Sequence, residues 1–181
     1  MNEPNASTSR VVRWETLPGL PADGPVPRHF HLGHPTPRVE GFVVRFWNAD
    51  GSEWVGNFEG FQDWTTKIVL WPKADSIVVL AMDNFYLVDA GNPDSYVTLD
   101  SQTLVDDVML DDEGSVLFVA ESTRIHAYGR DRRRLWTRSE LGGYDAQLVT
   151  CSCGVLTIEV EEELGGARKT LRLSVKDCMI L

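Results

Sequence analysis

From Glu40 onward the chain alternates short apolar runs with small polar turns. Four such runs are 67–71 (KIVLW), 76–81 (SIVVLA), 85–89 (FYLVD) and 96–99 (YVTL). They are separated by 72–75, by Asp83-Asn84 and by Gly91-Asn92-Pro93-Asp94. Runs of this length, rich in β-branched and aromatic residues and bounded by Gly, Pro, Asn and Asp, predict strands. The succession recurs as 108–110, 115–120, 124–128 and Leu135-Trp136, broken by 111–114, 121–123 and the RDRRR run 130–134. It recurs once more as 147–150, 155–160 and 171–175. Within 124–128, Ile125 and Ala127 alternate with His126 and Tyr128, the period of two of a half-buried strand. An earlier pair, VVRFWNADGSEWVGN over 43–57, turns at Asp50-Gly51, a strong hairpin signal between apolar runs.

The registers of these units agree. Ile68, Val108 and Leu148 follow one another at intervals of 40 residues. Phe46, Val88, Tyr128 and Leu173 are separated by 42, 40 and 45 residues. A period near 40 with four strands per repeat marks blade-like sheet units, which bury their faces only by stacking on neighbours. The expected fold is all-β: consecutive antiparallel sheet units, three complete and one partial, forming an open or partial β-propeller. Phe46 and Trp54 lie eight residues apart, as do Tyr128 and Trp136. That shared offset predicts equivalent positions for Trp54 and Trp136, each buried between its own unit and a neighbour.

The N-terminal part differs. Residues 1–10 are small and polar and are expected to be disordered. A short strand is expected over 11–14. Prolines at 18, 21, 25, 27, 35 and 37 forbid a continuous helix or a central strand. This stretch reads as an extended arm that lies along the domain through Val26, Phe30 and Leu32. The predicted organisation is a disordered terminus and Pro/Gly-rich arm over 1–40, then one all-β repeat domain over 41–181.

Composition sets the class of partner. Twenty-seven acidic residues against 17 basic ones give a net charge of −10, which repels nucleic acid and anionic membranes and suits a basic protein. Three cysteines, two of them as C-x-C, do not make a secreted disulfide framework. No stretch reaches the roughly 18 apolar residues of a membrane span, and the N-terminus lacks the pattern of a secretory signal. The expected location is the cytoplasm.

The segment HAYGRDRRRLWT, 126–137, resembles the outer part of a quinoprotein-type (PQQ-like) β-propeller repeat, with its short strand, polar turn and LW strand. From Gly41 onward, about three quarters of the chain is similar to WD40- and PQQ-like blades and to short bacterial propeller-like proteins of unassigned function. It has no G-H…W-D pair. The resemblance implies repeated blades held by packing, and it brings no catalytic residues with it.

Candidate chemistry is sparse. His29, His31 and His34, in HFHLGH, are a weak set of metal ligands, with Glu40 as a fourth. Cys151, Cys153 and Cys178 with His126 would give three sulfurs and one imidazole. Their C-x-C spacing departs from the C-x₂₋₄-C of structural zinc sites and fits a hairpin turn and a buried thiol better. Acidic clusters occupy Asp106-Asp107, Asp111-Asp112-Glu113 and Glu159 with Glu161-Glu162-Glu163. None has the alternation of a calcium loop. They read as solvated turns and guarded edges, or as a docking face. The candidate partner-binding residues are therefore Asp111, Asp112, Glu113, Glu161, Glu162 and Glu163. Arg130 and Arg132 to Arg134 form a basic hairpin tip. No nucleophile elbow or phosphate loop is present. The expected function is non-catalytic protein binding without a cofactor, most specifically an acidic immunity or inhibitor protein covering a basic toxin or enzyme. The alternatives are a metal-dependent enzyme or metal-binding protein using HFHLGH, and a half-propeller that closes as a homodimer.

Overall fold

The computed structural model describes residues 11–32, 40–60, 66–99, 104–163 and 165–181. Among them lie fifteen strands in four sheets. Sheet 1 contains β1 (Val11–Leu17), β2 (Arg28–Phe30), β3 (Phe42–Asn48) and β4 (Glu53–Phe58), in the order β1-β3-β4-β2. Sheet 2 is a meander of β5 (Thr66–Trp71), β6 (Ser76–Ala81), β7 (Asn84–Asp89) and β8 (Tyr96–Thr98). Sheet 3 repeats it with β9 (Val105–Leu110), β10 (Leu117–Glu121), β11 (Arg124–Tyr128) and β12 (Arg134–Arg138). Sheet 4 has three strands: β13 (Tyr144–Ser152), β14 (Val155–Glu161) and β15 (Arg168–Ser174). The all-β, sheet-after-sheet architecture expected from the run-and-turn pattern is thus the one observed.

Side-chain alternation explains how the sheets stack. In β6, Ile77, Val79 and Ala81 join the core against sheet 1, while Val78 and Leu80 join the core against sheet 3. In β10, Leu117 and Val119 face sheet 2, and Phe118 and Ala120 face sheet 4. Both strands are buried along their whole length. Strands covered on two faces read as unbroken apolar runs, which SIVVLA and LFVA are. Sheet 4 contrasts with this. In β14, Leu156, Ile158 and Val160 are buried, and Val155, Thr157, Glu159 and Glu161 between them are only partly covered. VLTIEVE alternates because one face meets sheet 3 and the other meets water. None of the three buried clusters joins sheet 4 to sheet 1.

Ile68, Val108 and Leu148 stand on β5, β9 and β13, the first strands of sheets 2, 3 and 4. These strands run side by side, β9 touching both β5 and β13. Lys67 ties two of them, donating to the Asp107 carboxylate at 2.7 Å and to the Val108 carbonyl at 2.8 Å. Val88, Tyr128 and Leu173 likewise share the third-strand position of their sheets, whereas Phe46 sits on the second strand of sheet 1.

The region before residue 41 does more than lie alongside. β1 pairs antiparallel with β3, and β2 pairs parallel with β4, so two segments of the expected arm complete sheet 1. A three-residue edge strand between prolines is compatible with their missing N–H groups. Phe30 on β2 is fully buried, stacked 4.3 Å from Phe58 and edge-on to Tyr86 and Tyr96. Leu32 packs on the same cluster, while Val26 is exposed. Val43 and Val55 point away from sheet 2 and are nevertheless wholly buried. The chain after β1 runs across that face. Leu17 to Pro21 lie against Arg45, the Leu20 N–H donates to the Glu40 carboxylate at 3.2 Å, and Gly24 approaches Glu53.

The two tryptophans expected to be equivalent are not. Trp54 is on β4, an inner strand, stacked 4.2 Å from Phe46 in the core against sheet 2. Trp136 is on β12, the edge strand of sheet 3, half-buried, with its indole N–H donating 2.8 Å to the Val175 carbonyl. The eight-residue offset marks a hairpin. It joins the second and third strands in sheet 1 and the third and fourth in sheet 3, where a bulge also shifts the register. The fully buried indole between sheets 2 and 3 is Trp71, whose N–H donates 2.9 Å to the Gly114 carbonyl. Trp71→Ala should therefore cost roughly 3–5 kcal/mol, the usual large-to-small core penalty. Trp136→Ala should cost about 1–2 kcal/mol, from partial burial and one hydrogen bond. Urea unfolding of both variants checks this, and equal losses would refute the assignment.

Candidate functional site

The strand directions sort the turns into two ends. β9 and β13 start at one end, where Asp106 and Asp145 lie close enough to interact, and finish at the other, where the Cys153 N–H donates to the Asp112 carboxylate at 3.4 Å. The first end also carries the β6–β7, β10–β11 and β12–β13 connections and the β14–β15 loop. The predicted acidic residues are consequently split. Asp111, Asp112 and Glu113 occupy the β9–β10 turn at the far end, and Glu161, Glu162 and Glu163 belong to the near one. One flat partner cannot cover both groups.

At the far end Asp111 is consumed locally, its Oδ1 accepting from the N–H groups of Ser115 and Val116. The basic hairpin tip is there too, and it is largely paired. Arg130 donates to the Ser115 hydroxyl, Arg132 meets Asp89 at 2.8 Å, and Arg133 meets Asp131 at 3.8 Å.

The near end concentrates negative charge. Asp83 sits in the β6–β7 turn, Asp106 and Asp107 at the start of β9, Glu121 at the end of β10, and Asp145 at the start of β13. Burial first, then the carboxylates of Asp145, Asp83, Glu121 and Asp107, push the Asp106 acid up to about 6. Its Oδ2 is closed to solvent and has no hydrogen-bond partner among the described residues. Most cations at this end are committed, the exception being Arg138 at the end of β12, whose buried Nε has no hydrogen-bond partner among the described residues. Lys67 holds Asp107, and Arg168 holds Asp145 and reaches Glu161 at 3.3 Å. Lys169 lies 3.7 Å from Glu162, and Arg124 lies 3.8 Å from Glu121. Asp83 and Asp145 both adopt left-handed backbone, at φ 59° and 48°, a conformation that Asp tolerates better than most residues. Asp106 and Asp107 were visible in the sequence as a pair, but Asp83, Glu121 and Asp145 were unmarked singletons. Only the strand directions bring the five together.

The metal-ligand candidates fare differently. His29 and His31 are both on or beside β2, with stacked rings 6.2 Å apart, and His34 lies outside the described residues. The Asn57 amide contacts His29 Nδ1 at 3.1 Å, and the backbone of His31 is held by the Tyr96 hydroxyl. Cys151 packs in the core between sheets 3 and 4, whereas His126, opposite Val119, points to the other side of sheet 3. The set of three cysteines and His126 is therefore not assembled. Burial, with Asp111 and Asp112 nearby, pushes the Cys151 thiol up to about 11, so it stays protonated at neutral pH. Among the described residues no group of three or more His, Cys, Asp or Glu side chains is arranged around a common metal position.

One arrangement had no signal in the sequence. His126 Nε2 lies 2.5 Å from Glu121 Oε1, and its Nδ1 lies 2.8 Å from the Thr137 hydroxyl. Hydroxyl, imidazole and carboxylate stand in the order that nucleophilic catalysis uses. The neighbouring groove is walled by Thr123, Arg124, Glu162 and 139–144, and by none of these three. As it stands, the chain of contacts satisfies buried polar groups within sheet 3.

Among the described residues no helix is long and apolar enough to cross a membrane. Neither models of known protein families nor the sequences of characterised proteins match this chain. Several solved structures are similar to it. A chain from BBS1N in complex with ARL6DN aligns with 78% of this chain and 49% of its own length, at 16% identity and a TM-score of 0.44. A chain from the mitotic checkpoint complex aligns with 60% of this chain and 32% of its own, at 18% identity and a TM-score of 0.43. The AfRom2 CNH domain aligns with 72% of this chain and 46% of its own, at 12% identity and a TM-score of 0.38. The chain thus spans between a third and a half of the length of these three.

Proposed function

We propose that this protein is a non-catalytic binding domain whose acidic end docks a basic protein, as an immunity or inhibitor protein would cover a basic toxin or enzyme. The observation that carries this reading is the convergence of Asp83, Asp106, Asp107, Asp145 and Glu161 to Glu163 on one end of the sheets. Asp106 lies among these acids, its pKa raised first by burial and then by the carboxylates of Asp145, Asp83, Glu121 and Asp107. A net charge of −10 extends that field and favours fast capture of a cationic surface. The metal-dependent alternative draws less support, because His29 and His31 are woven into sheet 1 and its contacts with sheet 2. Closure by dimerisation would have to draw on scattered exposed apolar side chains, Val149 and Met179 to Leu181 at sheet 4 and Val12 and Trp14 at sheet 1, set among polar neighbours. The outer face of sheet 1 is crossed by 17–24, and that of sheet 4 presents Gln147, Thr157, Glu159, Thr170 and Arg172.

Two measurements follow from the charge arrangement. The folded state favours protonated Asp106, so this residue's contribution to stability is present at low pH and is lost as pH rises from about 4 through about 6. Asp106→Asn should therefore match the parent protein in urea unfolding at pH 3.5, below the ordinary Asp pKa. At pH 7.5 it should be more stable by about 1 kcal/mol, allowing for solvent screening. A constant difference at both pH values would show that the acidic end exerts no such field.

The second measurement concerns the partner. A basic protein recovered with this chain from its native cells should associate faster at 50 mM than at 150 mM salt. Replacing Glu161, Glu162 and Glu163 with Gln should slow association roughly tenfold and change dissociation less, since rim charges act on approach. The same treatment of Asp111, Asp112 and Glu113, at the opposite end, should leave both rates unchanged. If instead the first variant keeps its binding rates and self-associates, these carboxylates only guard an edge. The docking reading then falls.

A further inference from the structure

Beside the acidic carboxylates the molecule has an open groove of about 560 Å³. It is lined by Thr123 of the β10–β11 turn, Arg124 at the start of β11, the 139–143 connection, Tyr144 and Glu162. We propose that this groove is the receptor for an arginine side chain of the docked partner, with Tyr144 as the stacking platform and Glu140 and Glu162 as the paired carboxylates. The inference rests on the reading that the acidic end binds a basic protein, and it names the element of that protein which the site recognises.

Tyr144 is 51% exposed at the start of a strand whose Ala146, Leu148 and Cys151 turn toward sheet 3, Val149 being its other exposed apolar side chain. An aromatic ring open to a groove is a face for a cation or a flat group. Glu140 and Glu162 line the same groove and both are exposed, Glu162 also lying 3.7 Å from the Lys169 ammonium, a loose contact that a bound guanidinium would have to share or displace. The guanidinium is the cation that matches this set. It is planar, stacks on an aromatic ring, and presents a fork of donors to a carboxylate, whereas an ammonium offers only a compact point charge. Arg124 adds a positive charge to the wall, but it is drawn toward Glu121 at 3.8 Å. Asp145 and Glu161 beside the groove are held by Arg168, and Glu163 adds an exposed carboxylate next to Glu162.

The connection that carries Glu140 is held in place from several sides. Leu141 is buried in the core between sheets 3 and 4. Lys169 Nζ donates to the Gly142 carbonyl at 2.8 Å. Gly143 passes so close to strand β14 that an added Cβ would lie 2.4 Å from the Glu161 carbonyl oxygen. Glu140 itself is in the left-handed region at φ 62°, which a glutamate does not choose for itself. Strain imposed on a surface residue by a pinned loop is a reason to ask what that side chain is presented to. Here that residue lines the groove together with Arg124 and Tyr144. Little has to be ordered when a ligand arrives, which favours binding.

The test uses the whole protein with ring-labelled tyrosine, followed by NMR. The probes are a capped peptide of alternating arginine and glycine and its citrulline and lysine counterparts. The arginine peptide should shift the Tyr144 ring resonances together with the amides around Asp106 and Asp145, and the citrulline peptide should shift neither. Tyr144→Ala, and separately the pair Glu140→Gln with Glu162→Gln, should weaken arginine-peptide binding roughly tenfold, while Tyr144→Phe should retain it. These side chains are exposed, and unchanged shifts elsewhere would confirm that each variant folds. Shifts at Asp106 and Asp145 without any at Tyr144 would overturn the groove and leave the acidic docking end standing. A lysine peptide that binds as tightly as the arginine one would overturn the guanidinium assignment. No shift at either place would overturn both readings.

Discussion

A β-sheet with apolar side chains on both faces has to be covered on both, and this requirement organises the molecule. Sheets 2 and 3 are such sheets. Ile77 and Val79 need a partner on one side, and Val78 and Leu80 need one on the other. Each is met by the neighbouring sheet along the chain, which brings its own two faces to be covered. The stack would propagate indefinitely unless something stopped it. It stops at sheet 4 because the far face of β14, after Val155, is threonine and glutamate. At sheet 1 it stops because the N-terminal segment covers Val43 and Val55 itself. Terminal units of repeat stacks commonly need such capping.

The joints between sheets are made by hydrogen bonds at strand ends as well as by apolar contact. The Trp71 indole reaches the Gly114 carbonyl, and the Trp136 indole reaches Val175, each linking one sheet to the next. The Tyr86 hydroxyl and the Asn84 amide both donate to the Glu59 carbonyl, tying sheet 2 to sheet 1. Lys67 ties sheet 2 to sheet 3. These bonds fix how the sheets sit on one another, and so they fix which turns become neighbours. The acidic end is a consequence. Asp83, Asp106 and Asp145 belong to three different sheets, and they crowd together because the sheets are held in register there.

That crowding has a cost, since like charges oppose one another and Asp106 is pushed toward its neutral form. Lys67, Arg124, Arg168 and Lys169 are each bound to one carboxylate or two, Arg138 is not, and several carboxylates are left over. A surface of this kind is suited to receive positive charge from outside. Glu140 extends the same logic into the adjoining groove, where a loop anchored by Leu141 and Lys169 holds an acidic side chain beside an exposed tyrosine.

The one-dimensional pattern determined the strands and their period. SIVVLA and FYLV announce strands covered on two sides, VLTIEVE announces one covered on a single side, and Ile68, Val108 and Leu148 land on successive first strands as their spacing requires. Alternation is local, so it survives in the sequence. Position within a sheet does not. The offsets of Trp54 from Phe46 and of Trp136 from Tyr128 are equal, yet one hairpin is central and the other marginal, because pairing depends on which other strands arrive. The prolines ruled out a central strand, but they did not reveal that Arg28–Phe30 would join the edge of sheet 1 by parallel pairing, a contact closed by residues some thirty positions away. The charge of −10 was legible as a total, and its distribution was not. Asp111 to Glu113 and Glu161 to Glu163 look alike along the chain, and strand direction sends them to opposite ends. Only the packing of sheet on sheet decided which acids would share a surface, because that choice is made by contacts between residues far apart in the sequence.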